Sequence, residues 1–247
     1  MTAQLVLDDH LTAVENMRRD DVLLARAEPV VRLYGWVPEA ISLGNSQTEA
    51  VIDLDVAREY GLDIIKRGTG GGGILHATTE VTYAVIVPID FDAMPRDLPG
   101  SFAFLGDGVL RALRALGLPA QIDSQPDRTR DALCYVRQQG TNIVVGGKKI
   151  SGGAQRRTRN AVLQHGTVII DRDEVRCARV FRTDEQTITA RVTSVRAEGK
   201  DPSRTQVIDA LVAGYTETFG TLSSTTWESL EPVPHAGTGW VAAPLGG

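Results

Sequence analysis

The sequence predicts an α+β fold, in which a mixed or antiparallel sheet is flanked by helices. Segments with strand character and segments with helical periodicity follow one another without regular strand–helix–strand alternation. Residues 81–87 are rich in β-branched side chains and are ended by Pro88, which is typical of a buried strand. The 247 residues contain no internal repeat and are enough for one sizeable domain.

The first half of the chain alternates short predicted helices and strands. Residues 16–27 predict a helix, because Met17, Leu23 and Leu24 supply apolar positions among charged ones, and Pro29 ends it. Strands are predicted over residues 30–36 and 41–44, with a helix over residues 54–60 that stops at Gly61. Residues 64–65 then lead into a run of glycines.

In the second half, a helix is predicted over residues 102–116, although Gly106 and Gly108 weaken its pattern. Residues 121–131 are polar and predict a loop, and short strands are predicted over residues 142–145 and 168–170. A last helix over residues 206–219 is capped by Ser203 or Thr205. We expect residues 1–220 to form the folded domain and residues 221–247 a loosely packed C-terminal tail.

Composition excludes several classes of protein. The net charge of −5 argues against a general nucleic-acid binder, and no apolar run is long enough to predict a membrane span. The N-terminus lacks a secretory pattern, so the expected compartment is the cytoplasm. Two cysteines, Cys134 and Cys177, cannot form a disulfide framework or a four-thiolate zinc site, and no metal site is expected.

The first glycine-rich run, residues 66–76, places four consecutive glycines after Thr69, beside Lys66 and Arg67. Backbone without side chains lets a ligand approach closely and lets amide groups point at it. The alternative is a flexible turn. The run lacks the Gly-Lys-Ser/Thr of a phosphate-binding loop and is followed by a strand, so it does not fit a dinucleotide-binding fingerprint either.

The second run, residues 146–157, places Lys149 beside the small residues 151–154. A lysine there could hold an anionic or carbonyl oxygen by charge and hydrogen bonding. The alternative is that Lys148 and Lys149 form a solvated hairpin tip, with Gly146 and Gly147 as its turn. The two interpretations are compatible, and we expect the two glycine-rich runs to meet in one site.

Cys134 is a candidate nucleophile if Lys149 and His165 stabilise its thiolate. A lone cysteine is more often a small buried hydrophobic residue, and Cys177, with no motif around it, is read in that way. His76 and His165, taken singly, are more often structural than catalytic.

Together these motifs resemble the lipoate–protein ligase and octanoyltransferase family, which shares its fold with biotin–protein ligases. The resemblance covers residues 16–219: a first helix beginning at Asn16, a first hairpin over residues 33–47, a lipoyl-binding loop ending in His76, and a catalytic-lysine segment over residues 147–155. It implies a biotin/lipoate ligase-like catalytic domain, with Lys149 as the catalytic lysine.

The family carries two chemistries, and the resemblance is strongest to a cysteine-dependent branch. Octanoyltransferases move the acyl group from acyl carrier protein without ATP, whereas ligases activate lipoate with ATP. Cys134-Tyr135 stands where that branch has Cys-Phe, and residues 163–166 also resemble it. The implied catalytic residues are Cys134 and Lys149. The implied substrate-binding residues are Arg67, Gly70, Gly71, Gly72, His76, Gly152, Gly153, Ala154 and His165.

The resemblance implies octanoyl-acyl carrier protein as donor and a lipoyl-carrier domain as acceptor. The acceptor would be the glycine cleavage H protein or the acyltransferase subunit of a 2-oxoacid dehydrogenase, and no nucleic acid or membrane is expected as a partner. No cofactor is implied for the transferase, whereas a ligase would need ATP and Mg²⁺. A third alternative is a carrier-binding module with an inactive site.

Overall fold

In the computed structural model, which describes residues 2–123 and 142–230, the strands form two sheets. The strands are β1 (Thr2–Leu11), β2 (Val30–Trp36), β3 (Ala40–Leu43), β4 (Asp63–Lys66), β5 (Ile74–His76), β6 (Val81–Pro88), β7 (Gln121–Asp123), β8 (Asn142–Val145), β9 (Lys148–Arg157), β10 (Ala161–Val168) and β11 (Thr221–Thr225). The larger sheet has the order β11-β1-β2-β6-β10-β9-β8-β7, and the smaller has the order β4-β3-β5.

Six α-helices surround the sheets in the part of the chain that the structure describes. They are α1 (Ala13–Arg26), α2 (Leu54–Glu59), α3 (Leu98–Ala115), α4 (Glu174–Phe181), α5 (Glu185–Arg191) and α6 (Arg204–Phe219). Side-chain caps define their starts: Thr12 begins α1, and Ser203 forms a capping box with Gln206 at the start of α6. The prediction of Ser203 as that cap is confirmed.

The centre of the larger sheet is buried on both faces. Strand β10 pairs antiparallel with β6 and with β9, and each of its residues is buried. Strand β1 pairs parallel with β2 and with β11, so the sheet is mixed. The prediction of a mixed sheet flanked by helices is confirmed.

Helices α3 and α6 cover one face of the larger sheet, and small residues let them pack closely. A Cβ on Gly108 would lie 2.3 Å from Tyr215 Cδ1, and a Cβ on Gly214 would lie 2.3 Å from the Gly108 carbonyl oxygen. Gly108, one of the two glycines that weaken the helical pattern of this segment, is therefore required because α6 packs closely against α3. The helix begins at Leu98, earlier than predicted, because Asp97 caps it.

The other face of the larger sheet is covered by α1 and by the smaller sheet. Met17, Leu23 and Leu24 of α1 pack in one cluster with side chains of β2, β6 and β10. The smaller sheet forms its own core with α4 and α5. A cleft is left where the two sheets and α1 meet, and the glycine-rich loop between β4 and β5 closes one side of it.

Four sequence-based expectations are wrong. The strand predicted over residues 168–170 instead covers Ala161–Val168. Strands β2 and β3 do not form a hairpin, because both edges of β2 are occupied by β1 and β6, and β3 pairs with β4 and β5. Residues 121–123 are not a loop but pair with β8. The segment after Phe219 is not loosely packed up to Leu230, since β11 hydrogen-bonds to β1 and Leu230 is buried. Cys134 and residues 231–247 lie outside the described residues.

Candidate active site

The cleft between the sheets contains a cavity that is partly open to solvent, with about 460 Å³ of empty space that includes its open mouth. Its wall combines residues of both glycine-rich runs, so the expectation that these runs meet is confirmed. The lining residues are Met17, Tyr34, Trp36, Ser42, Arg67, Ile74, His76, Thr82, Lys149, Gly152, Gly153, Ala154, His165, Gly166 and Thr167. The cavity therefore has an apolar side and a lysine that reaches its wall.

The position of Lys149 results from a tight turn followed by a β-bulge. Gly146 and Gly147 have φ angles of 57° and 79°, as a two-residue hairpin turn with left-handed residues requires. Lys149 pairs with Val144, whereas Ser151 pairs with Ile143, so β9 carries one extra residue relative to β8. In a regular strand residues three apart point to opposite faces, and the bulge places Lys149 and Gly152 on the same one.

The ammonium group of Lys149 lies over Gly152. A Cβ on Gly152 would be 2.3 Å from Lys149 Cε and 2.6 Å from Nζ, so only glycine leaves room for this lysine. Lys149 is 2% exposed, and it is not part of a solvated hairpin tip. A buried ammonium with one face towards a cavity is suited to bind an oxygen that gains negative charge.

Arg67 organises the glycine-rich loop. Its guanidinium group donates hydrogen bonds to the carbonyl oxygens of Gly70 (2.8 Å), Gly72 (2.7 Å) and Ser42 (2.8 Å). It also donates to Thr69 Oγ1 at 3.1 Å, and its side chain is buried. Arg67, which the sequence predicts to bind substrate, thus shapes the loop and also contributes to the cavity wall.

Two histidines flank Arg67, and each is held by a carboxylate and a hydroxyl. His165 Nδ1 lies 3.0 Å from Asp20 Oδ2, and its Nε2 lies 2.7 Å from Thr69 Oγ1. His76 Nδ1 lies 2.6 Å from Glu80 Oε1, and its Nε2 lies 2.8 Å from Ser42 Oγ.

The two hydroxyls link the two imidazoles to Arg67. Ser42 and Thr69 both accept hydrogen bonds from Arg67, so each can donate its proton to the facing histidine. In that arrangement each histidine donates from Nδ1 to its carboxylate. Both ring nitrogens of His76 and His165 are therefore engaged, which fits positioning roles in the cavity wall.

Asp20 remains ionised although it is buried. Burial alone would raise its pKa, but the hydrogen bond with His165 and the positive charge of Arg32 outweigh burial and hold the pKa of Asp20 below its ordinary value. Arg32 is itself buried and lies 2.7 Å from Asp20 Oδ1. This ion pair anchors α1 to β2. It thereby fixes the position of Asp20, which in turn holds His165 of β10.

The remaining predicted residues have different outcomes. Gly152, Gly153 and Ala154 line the cavity with His76 and His165. Gly70 and Gly72 direct carbonyls to Arg67, and Gly71 has a φ of 95°, so the loop depends on glycine for its conformation. Their contact with a substrate stays a prediction, as does the role of Cys134. Cys177 is buried, and burial raises its pKa to about 12, in agreement with a structural role.

Sequence reasoning missed both carboxylates. Asp20 is one of the charged residues of the predicted first helix, yet it lies three residues after Met17 and four before Leu24, on the apolar face of the helix. That spacing is the signal that could have identified it. Glu80 lies four residues after His76 and two before Thr82, which are local partners, and only Thr167 reaches it through the pairing of β6 with β10.

Within residues 2–123 and 142–230, no group of three or more His, Cys, Asp or Glu side chains is placed to hold a metal ion. None of the helices in this part of the chain is both long and apolar enough to cross a bilayer.

Comparison of the chain with known proteins agrees with this geometry. The chain is 35% identical over 191 residues to an octanoyltransferase LipM from Geobacillus kaustophilus, and the match covers 72% of this chain and 68% of that protein. It is 31% identical, with the same coverage, to an octanoyltransferase LipM from Bacillus subtilis.

Among solved structures, a lipoate-protein ligase A bound with ATP superposes with a TM-score of 0.80 at 25% identity, covering 93% of this chain and 92% of that one. A bi-partite lipoate protein ligase from Thermoplasma acidophilum shares the fold, with a TM-score of 0.74 at 22% identity, covering 93% of this chain and 90% of that one. The family model of the lipoyl protein ligase A/B catalytic domain matches residues 12–216, and the chain belongs to that family.

Proposed function

We propose that this protein is an octanoyltransferase, which moves an octanoyl group from octanoyl-acyl carrier protein to a lysine of a lipoyl-carrier domain. The observation that carries the proposal is the buried ammonium group of Lys149, held over Gly152 in the wall of a cavity. The octanoyltransferase relatives, 30–35% identical over most of the chain, support transfer rather than ligation.

The cavity provides an apolar site for the acyl chain. Trp36, Met17 and Ile74 form part of its wall, and Trp36 is fixed by a hydrogen bond to Thr82 and by stacking on His76. Burial of each methylene of an acyl chain contributes about 0.8 kcal/mol to binding. An apolar cavity that begins at Lys149 therefore holds the acyl carbonyl next to the ammonium group.

The proposed reaction has two acyl transfers. The Cys134 thiolate attacks the carbonyl carbon of the thioester, and the bond from that carbon to the carrier protein's sulfur breaks, so that a thiolate leaves and an octanoyl-cysteine forms. The acceptor lysine amine then attacks this acyl-enzyme, the Cys134 thiolate leaves, and the amine loses a proton as the amide forms. Cys134 enters this scheme from the sequence alone.

Lys149 acts in both steps in the same way. Each attack places negative charge on the former carbonyl oxygen, and the positive charge of Lys149 stabilises it. The bulge and Gly152 hold the ammonium group in position before the substrate arrives. A preorganised charge of this kind stabilises the transition state without reorganisation during the reaction.

The proposed acceptor is the glycine cleavage H protein or the acyltransferase subunit of a 2-oxoacid dehydrogenase. A location in the cytoplasm stays a prediction of the sequence. The second candidate function is an ATP-dependent lipoate–protein ligase, with Cys134 as a packing residue. The observation that favours it is the superposition on a lipoate-protein ligase A bound with ATP.

One assay distinguishes the alternatives. The protein is incubated with octanoyl-acyl carrier protein and a carrier domain, without ATP, and acylation of the carrier is measured by mass spectrometry. Transfer in this mixture is the expected result. Transfer only from a free acid with ATP and Mg²⁺ would establish the ligase instead. Binding of the carrier domain without acylation under either condition would identify a binding module.

A further inference from the structure

A second cavity, with about 370 Å³ of empty space that includes its opening to solvent, adjoins the first. Among the described residues, Met17 and His165 line both cavities. These two side chains therefore form the partition between them. Nothing in the proposed transfer reaction uses the second cavity, and its lining differs in character from that of the first.

Met17 is the adaptable part of the partition. His165 is fixed on both ring nitrogens, by Asp20 at 3.0 Å and by Thr69 at 2.7 Å. Met17 is an unbranched apolar side chain, 4% exposed, that projects from α1 into this space. A change at position 17 can alter the partition without breaking the hydrogen bonds that hold His165.

The second cavity, on the far side of Met17 from the first, is lined by charged groups. Asp21 and Arg156 form an ion pair at 2.8 Å, and Lys66 lies in the same wall, with Leu24 and Leu163 as its apolar part. Burial raises the pKa of Asp21, as expected for a carboxylate with restricted access to water. An apolar chain that reached this wall would desolvate the ion pair, which is unfavourable.

Strand spacing gives the distance from Lys149 to the partition. Lys149 Nζ lies beside Gly152, and Ala154, two residues further along β9, is paired with His165. Two residues of strand advance about 7 Å, so the partition lies on the order of 7 to 10 Å from the ammonium group. An extended octanoyl chain spans roughly 9 Å, from carbon–carbon bonds of about 1.5 Å in a zigzag.

We propose that Met17 forms the floor of the acyl site and sets the chain length that the enzyme accepts, and that the charged second cavity disfavours chains that extend beyond the space of the Met17 side chain. This inference rests on the proposed function, since it assumes that the acyl group occupies the first cavity. It assigns specificity to a residue of α1 that touches the end of the chain rather than the reacting carbonyl.

The test is a competition among hexanoyl, octanoyl, decanoyl and dodecanoyl groups on acyl carrier protein, with the products on the carrier domain measured by mass spectrometry. In Met17→Ala the ratio of decanoyl to octanoyl product should rise roughly tenfold, because two more methylenes gain burial. In Met17→Phe the ratio of hexanoyl to octanoyl should rise instead. Met17→Leu, which nearly preserves volume, should keep the octanoyl preference.

The two variants shift the preference in opposite directions, so a loss of stability in one of them leaves the other informative. A wild-type protein that transfers octanoyl groups, with the same chain-length profile in Met17→Ala or in Met17→Phe, would overturn the role of Met17 and leave the proposed function intact. A wild-type protein that transfers no acyl group without ATP would overturn the proposed function itself.

Discussion

Lys149 and Gly152 occupy adjoining space on β9, with the lysine Nζ only 2.6 Å from the position that a Cβ on Gly152 would take. The relationship depends on a bulge that brings residues three apart to one face of the strand. It explains why the third residue after the lysine is a glycine. The glycine is needed for the position of the ammonium group, and only indirectly for contact with a substrate.

Gly152→Ala should therefore impair transfer with little loss of stability. The new methyl group meets the flexible end of Lys149, so the ammonium group moves while the backbone is kept. A displacement of about 1 Å in a catalytic group costs roughly 10²-fold in rate. The measurement is the rate of octanoyl transfer together with the melting temperature. Gly106→Ala in α3, where a Cβ would lie 3.4 Å from Gln164 Nε2, is the control and should keep normal transfer. Full activity of Gly152→Ala would show that the ammonium position is not critical.

Lys149→Met should lower kcat for transfer by about 10²- to 10³-fold, which is typical for the loss of one oxyanion-stabilising group. Methionine fills a similar volume, so the melting temperature should be kept. Lys148→Met is the matched control, because Lys148 lies next to it on β9 but outside the cavity wall. Equal activity of the two variants would contradict the assignment of Lys149.

Arg67→Lys should loosen the glycine-rich loop. A guanidinium group reaches several separated carbonyls, whereas an ammonium group is a single point of charge and cannot bond both Gly70 and Gly72 while holding Ser42. Hydrogen exchange of the amides in residues 68–73 should accelerate, and KM for the acyl donor should rise more than kcat falls. Arg58→Lys, whose side chain is exposed on α2, serves as control. Unchanged exchange in the loop would mean that Arg67 does not organise it.

Asp20→Asn should change how stability depends on pH. The pKa of Asp20 is lowered in the folded protein, so its contribution is complete above the unfolded pKa of about 3.9 and is lost as the pH falls through the lower folded value. The variant should lose about 1.5 to 3 kcal/mol at pH 7, because Arg32 loses its charge-assisted hydrogen bond to Asp20 and keeps Asp8 as its buried carboxylate partner. The free energy of unfolding of the variant should then fall less steeply below pH 4 than that of the wild type. Urea unfolding between pH 2.5 and 7 measures both effects.

The exposed Asp55, paired with Arg58 on α2, provides the comparison for that experiment. Asp55→Asn should follow the wild-type pH profile within experimental error, since a surface ion pair contributes little. If Asp20→Asn also followed the wild-type profile, Asp20 would not be the ionised anchor of His165.

Local pattern was sufficient to predict some of this architecture. The periodicity of residues 206–219, the β-branched run of β6 and the Gly146-Gly147 turn are all encoded within a few neighbouring residues, and each is found. The family motifs also placed Lys149 and Arg67 in one site, and the structure brings both to the same cavity.

Long-range pairing could not be predicted in this way. Asp20 and His165 are 145 residues apart, and their contact exists because α1 packs on β10. Strand β1, with Asp8, Asp9 and His10 at its end, lacks a clean apolar alternation, and it is a strand because β2 and β11 pair with it. The contact between Asp20 and His165 follows from topology, which the period of a single segment does not contain.

The most direct test of the account is the intact mass of the protein after incubation with octanoyl-acyl carrier protein and no acceptor. Cys177, whose pKa is raised to about 12 by burial, is almost entirely protonated near neutral pH and should not react. The account predicts a single octanoyl adduct that maps to Cys134. The adduct should be lost together with most of the transfer in Cys134→Ala, and both should be retained in Cys177→Ala. Transfer at nearly full rate in Cys134→Ala, with no adduct on the wild type, would contradict it and indicate direct attack by the acceptor lysine.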